Sequence, residues 1–246
     1  AAGESVLEAE ETIHPVLVHS GDRDLEILLV SGGITGALRE ILKYPVRRID
    51  YVELDPVMID AVREACPELA DPRIQVHIAD ARRFIERTSR CWDMVVIDLP
   101  APSNFQLNRF YTREFFHTVR RTLKPGGILS LSLPGAANYV NDELARLYRS
   151  IGATALTEFR NLTVYPLGSL VMVLSDTTLE RDIGRLITAR GIATEFVNAA
   201  YLDADLTQKR LDRIDDILSR PGPVNRDLTP TAFLLEQRYR LSQHRL

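Results

Sequence analysis

The chain has 246 residues, of which 45% are hydrophobic and 26% are charged, a composition typical of an ordinary globular protein. Its formal net charge of −4 and its pI of about 5.8 argue against a general nucleic-acid-binding surface. No apolar run approaches the ~20 residues that a membrane-spanning helix needs. The length suits one large α/β domain with additions.

Four apolar runs, each ending on small or acidic residues, follow one another in the first hundred positions. They are residues 27–30, 49–52, 74–78 and 92–97. Helical patterns at 36–44, 56–66 and 81–87 alternate with them, which predicts a parallel sheet with helices on both faces. Because open parallel sheets bind ligands at the carboxyl ends of their strands, these four strand ends predict a single crevice.

Patterns in the second half of the chain predict the remaining strands of the same sheet. Thr112 is a good N-cap for a helix that Pro125 ends, and residues 128–133 read as a fifth strand. A helix follows from Asn141 or Asp142. Residues 155–159 and 169–174 then read as a late pair of strands joined by a turn at 164–168. The remainder reads as helical, with a break at 221–223.

A glycine turn and two carboxylates form the strongest functional signal. Gly32, Gly33 and Gly36 stand between the first strand and a helix, the context of a nucleotide-binding turn, although their spacing is not the strict G-x-G-x-x-G. Glu53 lies twenty residues after Gly33 at the end of the next strand, where a carboxylate accepts both ribose hydroxyls. Asp80 ends the third strand. Together these residues favour a nucleoside site over a set of solvated strand-end acids.

This ordered series resembles the polyamine aminopropyltransferases, the spermidine synthase family, over roughly residues 10–174. The matching segments are 29–42, 52–55, 79–81, 110–116 and 165–169. The resemblance implies a Rossmann-like class I methyltransferase fold, with a seven-stranded, mostly parallel sheet whose last strand pair is reversed. It also implies decarboxylated S-adenosylmethionine or S-adenosylmethionine as co-substrate, and no metal.

The resemblance assigns roles to individual residues. The nucleoside site is expected to use Gly32, Gly33, Gly36, Glu53, Asp55, Asp80, Ala81 and Asp98. His14, Tyr111 and Tyr165 are expected to contact the acceptor substrate, and Asp98 is the candidate general base. The other interpretation of Asp98 is a strand-end acid that caps the next loop or touches the sulfonium side of the co-substrate.

Several positions depart from the family pattern, and most of them lie on the acceptor side. Ile34 replaces an aspartate, Ala101 a second acid, Ile13 a tyrosine, Pro15 a glutamate and Ser132 a glutamine. The nucleoside half of the site is therefore kept, while much of the amine half is lost. We expect poor use of putrescine, a dication near neutral pH. A monoamine or a larger, differently charged acceptor is the better candidate.

The resemblance also suggests how the chain is organised. We predict a lead-in over 1–25, a remnant of the family's N-terminal β-segment, a nucleoside-binding domain over 26–205 and a helical extension over 206–246. Residues 224–233 resemble bacterial proteins in which a spermidine-synthase-like domain is joined to membrane helices. Since the chain also begins without methionine, we expect a cytoplasmic domain that is processed or cut from a longer protein.

Arg109 and the overall activity each leave alternatives. Arg109, in the long polar loop 100–111, would suit a carboxylate or phosphate, but we favour a loop-tying role. Three functions stay open: aminopropyl transfer to a small amine or other acceptor, methyl transfer from S-adenosylmethionine, and nucleoside sensing within a membrane protein. No nucleic-acid partner is expected, and a homodimer is left open.

Overall fold

The computed structural model describes residues 2–21, 23–135 and 139–243, which form a seven-stranded sheet covered by helices on both faces. The strands are β1 (Leu25–Val30), β2 (Val46–Glu53), β3 (Ile74–Ile78), β4 (Trp92–Ile97), β5 (Leu123–Leu133), β6 (Asn161–Pro166) and β7 (Leu170–Ser175). The α-helices are α1 (Ala2–Leu17), α2 (Ala37–Ile41), α3 (Pro56–Val62), α4 (Ala81–Arg87), α5 (Phe105–Asn108), α6 (Arg113–Arg121), α7 (Asp142–Ala155), α8 (Ile183–Ala189), α9 (Ala199–Asp205), α10 (Gln208–Ser219) and α11 (Thr231–Gln243).

The strand order is β3-β2-β1-β4-β5-β7-β6, and β1 to β5 pair in parallel. β7 is antiparallel to both β5 and β6, so the chain closes the sheet with a hairpin. The predicted fold, a mostly parallel sheet with a reversed last pair, is confirmed. Strand order reverses between β1 and β4, and a crevice for ligands is expected at the carboxyl ends of these two strands.

Helices cover both faces of the sheet. Because successive side chains of each strand point to opposite faces, both sets of side chains are buried. In β1, Leu28 and Val30 join a core that also includes Phe115 and Leu147, from α6 and α7. Ile27 and the other alternate residues of β1 join a second core, built against α1, α2, α3, α8 and α9. This two-sided burial explains why the strands read as continuous apolar runs in the sequence.

The predicted position of the sixth strand is wrong. Residues 155–159 do not form a strand: α7 runs to Ala155, and β6 begins only at Asn161. Leu147, Ile151 and Ala155 are fully buried at helical spacing, and the Thr154 hydroxyl donates to the carbonyl of Ser150, 2.6 Å away. Packing therefore makes the segment up to Ala155 helical although its residues favour a strand. The turn predicted at 164–168 lies instead at 167–169.

The lead-in is not a β-segment, because α1 covers Ala2–Leu17. Ile13, Val16 and Leu17 are fully buried in the second core, as expected for apolar residues that share one face of a helix. Pro15 lies inside this helix, where proline removes one backbone donor. That proline and the short apolar run at 16–18 obscure the helical pattern in the sequence.

The residues after 205 pack onto the rest of the chain. α10 and α11 contact α7, and Ile214, Ala232 and Leu235 join the first core. Among the described residues, no helix combines the length and the apolar character that crossing a membrane requires.

A buried carboxylate ties together one edge of the sheet. Asp50 of β2 is fully buried and accepts hydrogen bonds from Arg48 (2.7 Å), from His77 of β3 (2.8 Å) and from the indole of Trp92 of β4 (3.0 Å). Burial alone would raise the pKa of Asp50, but these three partners lower it to about 2. The ionised Asp50 therefore stabilises the folded state fully at pH values above ~4, the ordinary pKa of aspartate. This contribution is lost as the pH falls toward about 2.

We predict that Asp50→Ala lowers the free energy of unfolding by about 3 kcal/mol, since it leaves the Trp92 and Arg48 donors without their buried acceptor. Chemical denaturation at pH 7 measures the change. Asp60→Ala is the matched control, because Asp60 pairs with Arg63 on the surface, where both side chains are mostly exposed. Equal losses in the two variants would contradict a structural role for the Asp50 network.

Candidate active site

A cleft of about 240 Å³ lies at the carboxyl ends of the first strands, beside the point where strand order reverses. Its walls come from the ends of β1 and β2, the start of α4 and the loop around α5. It brings together three of the predicted nucleoside residues, Glu53, Asp80 and Ala81. The predicted crevice is therefore present in the structure.

The glycine turn allows the backbone after β1 to pass against its neighbours. Gly32 has a φ of 68°, and a β-carbon there would lie 1.8 Å from Oδ2 of Asp98. A β-carbon on Gly33 would lie 2.6 Å from the ring of Tyr51. Ser31 also has a positive φ of 61°, which is unusual for a residue with a side chain. The turn thus sets the Gly32 backbone directly against the Asp98 carboxylate.

Glu53, at the end of β2, is held in place by donors from its own surroundings. Oε1 accepts from the backbone amide of Leu54 (2.8 Å), and Oε2 lies 3.1 Å from the Tyr51 hydroxyl and 3.4 Å from that of Ser31. A carboxylate fixed at a strand end can still accept hydrogen bonds from a diol. Asp55 instead caps α3 by accepting from the amide of Val57 (2.8 Å), and it is exposed outside the cleft.

Asp80 uses both of its carboxylate oxygens within the protein. Oδ1 caps α4 by accepting from the amide of Arg83 (3.0 Å), and Oδ2 forms a close ion pair with the guanidinium of Arg109. Burial opposes the charged form, but these two donors keep the pKa of Asp80 below its ordinary value. Arg109 also donates from Nε to the carbonyl of Gln106 (3.2 Å), which agrees with a loop-tying role.

Asp98 ends β4 in a different environment. Among the described residues, none donates a hydrogen bond to its carboxylate. Burial, together with the negative charge of Glu8 on α1, raises the pKa of Asp98 to about 6. A carboxylate in this state is charged at neutral pH and more basic than an ordinary aspartate, which suits proton transfer.

The three residues predicted to contact the acceptor are fully buried, and each has partners within the protein. The Tyr111 hydroxyl donates to the carbonyls of Leu99 (3.1 Å) and Pro100 (2.9 Å), directly after Asp98. None of the three lies among the residues that line the cleft. Their substrate roles stay predictions, and Tyr111 holds the chain that follows the candidate base.

Tyr165 and His14 lie on the α1 side of the sheet. The Tyr165 hydroxyl donates to the carbonyl of Glu180 (2.9 Å) and lies 3.0 Å from Nε2 of His19. The ring nitrogens of His14 lie 2.8 Å from the Tyr44 hydroxyl and 3.0 Å from Oε2 of Glu40. His14 therefore connects α1 to α2 and its end, and Tyr165 contacts the short 3-10 turn that follows α1.

Glu10, His14 and Glu40 lie close enough to form a metal-type cluster. The ammonium of Lys43 lies 2.5 Å from Glu40 and 3.7 Å from Glu10, so a cation already balances these carboxylates. Glu10 also accepts from the backbone amides of residues 195–197, at 2.6 to 2.9 Å. The side chains of this cluster therefore already have partners in the protein, and their contacts pack α1 against the rest of the fold.

Two acids of α1 are missed by the sequence analysis because the lead-in is not predicted as a helix. The negative charge of Glu8 contributes to the raised pKa of Asp98, as described above. Glu11 is buried and accepts from the amide of Gly168 (3.0 Å) and from the Tyr201 hydroxyl. Their spacing of three residues, which puts both on one helix face, is the signal that could reveal them.

Comparison with known proteins decides the family. A profile of the spermine/spermidine synthase domain matches residues 8–175, more than half of the chain. The chain belongs to the spermine/spermidine synthase family. A polyamine aminopropyltransferase of Korarchaeum cryptofilum is 36% identical over 151 residues, which is 59% of this chain and 46% of the relative. A spermine synthase of Arabidopsis thaliana is 30% identical over 196 residues, or 75% and 51% of the two chains. The chain spans about half the length of these relatives.

Solved structures support the same fold. A spermidine synthase in complex with the transition-state analogue AdoDATO aligns with a TM-score of 0.70 and 20% identity, covering 87% of this chain and 75% of that one. Human methyltransferase-like protein 13, in complex with SAH, aligns with a TM-score of 0.52 and 19% identity, covering 91% and 92%. At these identities the likeness shows the fold, which confirms the class I methyltransferase-like prediction.

We predict that Gly32→Ala displaces Asp98, because the new methyl group would overlap its carboxylate. Gly191→Ala is the matched control: Gly191, at the end of α8, has a φ of 60° in a left-handed helix cap, but nothing lies within 4 Å of its β-carbon position. Both variants should lose about 1–2 kcal/mol of stability from the backbone conformation alone. Only Gly32→Ala should lose more in chemical denaturation, and equal losses would show that Asp98 moves aside freely.

Proposed function

We propose that the chain is an aminopropyltransferase domain that binds decarboxylated S-adenosylmethionine and transfers its aminopropyl group to an amine. Family membership and the strand-end cleft support this proposal. The observation that carries it is Asp98: a carboxylate held against the backbone of the glycine turn, with a raised pKa and no donor among the described residues.

In this proposal Glu53 and Asp80, which line the cleft, and the neighbouring glycine turn each have a chemical task. Glu53 accepts from the ribose hydroxyls, Asp80 accepts from the adenine amino group, and the Gly32-Gly33 backbone passes along the ligand. When bound, the co-substrate supplies a methylene carbon attached to a positive sulfur; this bond breaks as the amine nitrogen bonds to the carbon, leaving methylthioadenosine. The glycines keep the backbone free of side chains where the ligand approaches.

Asp98 is proposed to take the proton from the attacking amine. Alkyl amines have a pKa near ~10, so at neutral pH they arrive as ammonium ions that cannot attack. A carboxylate first pairs with the ammonium and takes its proton, and the lone pair of the neutral amine then attacks the carbon. The raised pKa of Asp98, about 6, brings it closer to the pKa of the amine than an ordinary aspartate would be.

The acceptor is proposed to be an amine other than putrescine. Ile13 lies in the packed core, and Ala101 is also buried, so neither provides a polar group for a second ammonium. Glu8 is an exposed acid of α1 whose negative charge acts on Asp98. It supports recognition of one ammonium beside the base and leaves the far end of the acceptor without the acids that the family pattern would provide.

We predict that Asp98→Asn abolishes aminopropyl transfer while nucleoside binding stays within a few-fold of wild type, because the amide keeps the shape but cannot accept the proton. Turnover of a panel of amines, putrescine included, measures the first effect. Calorimetry with decarboxylated S-adenosylmethionine, S-adenosylmethionine and methylthioadenosine measures the second.

The same measurements separate the competing functions. Preference for S-adenosylmethionine with turnover of a methyl acceptor would replace the proposal with methyl transfer. Nucleoside binding by a wild type that is inert toward every amine and methyl acceptor would favour a sensing domain. Retained turnover in Asp98→Asn would remove Asp98 from the chemistry.

The pH profile of turnover gives a separate prediction. Asp98 acts as a base only when deprotonated, so activity should rise with pH through a midpoint near the Asp98 pKa of about 6. Because the charge of Glu8 helps to raise that pKa, Glu8→Gln should move the midpoint to lower pH. The pH profile of kcat/KM, which reports the free enzyme, tests this across the acid range, and an unmoved midpoint would show that Glu8 does not act on the base.

A further inference from the structure

The ion pair between Asp80 and Arg109 places a hydrogen-bond donor beside an acceptor inside the nucleoside cleft. Both residues line the cleft, and their side chains are only partly exposed, 34% for Arg109 and 26% for Asp80. Oδ2 of Asp80 has lone pairs beyond the one that faces Arg109, and the guanidinium has N–H groups beyond those given to Asp80 and Gln106. The pair can therefore bind a further ligand without being broken.

The edge of adenine presents the complementary pattern. Its amino group is a donor, and each ring nitrogen beside that group, N1 or N7, is an acceptor. Asparagine and glutamine read adenine because their amide holds one acceptor and one donor side by side. The Asp80 carboxylate with the Arg109 guanidinium presents the same two functions, an acceptor beside a donor, but from residues 29 positions apart in the sequence.

Arg109 is also fixed in position from several sides. Its guanidinium lies 5.1 Å from the centre of the Phe110 ring, and its backbone carbonyl accepts from Arg82 (3.0 Å). Arg82 in turn pairs with Asp227 of the segment before α11. A planar guanidinium held in this way loses little freedom when it donates to a ligand.

The charge of Arg109 is compatible with a co-substrate that carries a positive sulfur. Asp80 neutralises the guanidinium directly, so the pair has no net charge. A lone arginine in the same place would repel the sulfonium, whereas the pair presents only its hydrogen-bonding groups.

We propose that Arg109 is a specificity-determining residue of the nucleoside site, which donates to a ring nitrogen of adenine while Asp80 accepts from the adjacent amino group. This inference rests on the proposed function, because it assumes that the cleft takes the adenine of the co-substrate. It goes further by assigning to Arg109 a direct contact with the base in addition to its loop contacts.

The test combines changes in the protein with changes in the ligand. Methylthioadenosine and its 1-deaza and 7-deaza analogues are titrated calorimetrically into the wild type, Arg109→Ala and Arg109→Lys. The two analogues each replace one ring nitrogen by C–H and keep the amino group. In the wild type, one of them should bind about tenfold more weakly than methylthioadenosine, the effect of one lost hydrogen bond.

In Arg109→Ala, methylthioadenosine itself should bind about tenfold more weakly, and the penalty for the sensitive analogue should disappear. Arg109→Lys should retain only part of the penalty, because an ammonium lacks the planar fork. Arg87→Ala is the matched control, since it removes an exposed arginine from the far end of α4 and should keep the wild-type ratios.

Two results would overturn the inference while leaving the proposed function intact. One is a wild type that binds all three nucleosides equally. The other is a penalty that persists in Arg109→Ala, which would show that Arg109 only ties the loop. Failure of the wild type to bind methylthioadenosine or decarboxylated S-adenosylmethionine would instead remove the proposed function, and this inference with it.

Discussion

The register of β1 against its two neighbours is the constraint on which the candidate site depends. The amide of Asp98 donates to the carbonyl of Val30 (2.9 Å), and the amide of Ser31 donates to that of Val52 (3.0 Å). The amide of Ala79 likewise donates to the carbonyl of Glu53 (3.0 Å). These bonds continue the ladders just past the strand ends, so the acids that follow the strands arrive at the same edge of the sheet. A shift of one residue would turn each of them to the other face.

Three carboxylates at this edge of the sheet have three different environments, and the environments favour different chemical roles. Glu53 is surrounded by neutral donors, and its oxygens can still accept from a diol. Asp80 is paired with a cation, which holds its pKa down. Asp98 has neither, and burial raises its pKa. Because their environments push the pKa values of Asp80 and Asp98 apart, these two carboxylates suit different tasks, which supports a binding role for Asp80 and a proton-transfer role for Asp98.

The strands and their acidic ends could be predicted because both are local patterns. A buried parallel strand is a continuous apolar run, and the turn after it must carry small or polar residues. The helix α1 and the strand β6 were not predicted, because there the local pattern disagrees with the packing. Pro15 interrupts a helix whose apolar face is nevertheless buried, and the β-prone residues around Thr154 extend α7. Tertiary contacts decide both cases, and a single sequence does not display them.

The electrostatic partners of the site are less predictable for the same reason. The Arg109–Asp80 pair and the effect of Glu8 on Asp98 join residues on different elements. Each residue taken alone suits several roles, and the sequence supplies no spacing rule that joins them. Arg109 shows the result most clearly: its contact with Gln106 is local and agrees with the predicted loop-tying role, whereas its contact with Asp80 lies beyond the reach of any local pattern.

The loop that carries Arg109 depends on a part of the chain outside the family match. Buried Asn225 donates to the carbonyl of Tyr111 (2.9 Å) and accepts from the amide of Ala232 (3.0 Å), so it joins the loop to the start of α11. Asn108 accepts from the amide of Phe233 (3.1 Å), and Gln237 donates to the carbonyl of Ser103 (2.9 Å). The family match ends at residue 175, yet one wall of the cleft is held by residues beyond 220. The helical extension therefore supports the candidate cleft, because the loop between β4 and α6 is held in position from both sides.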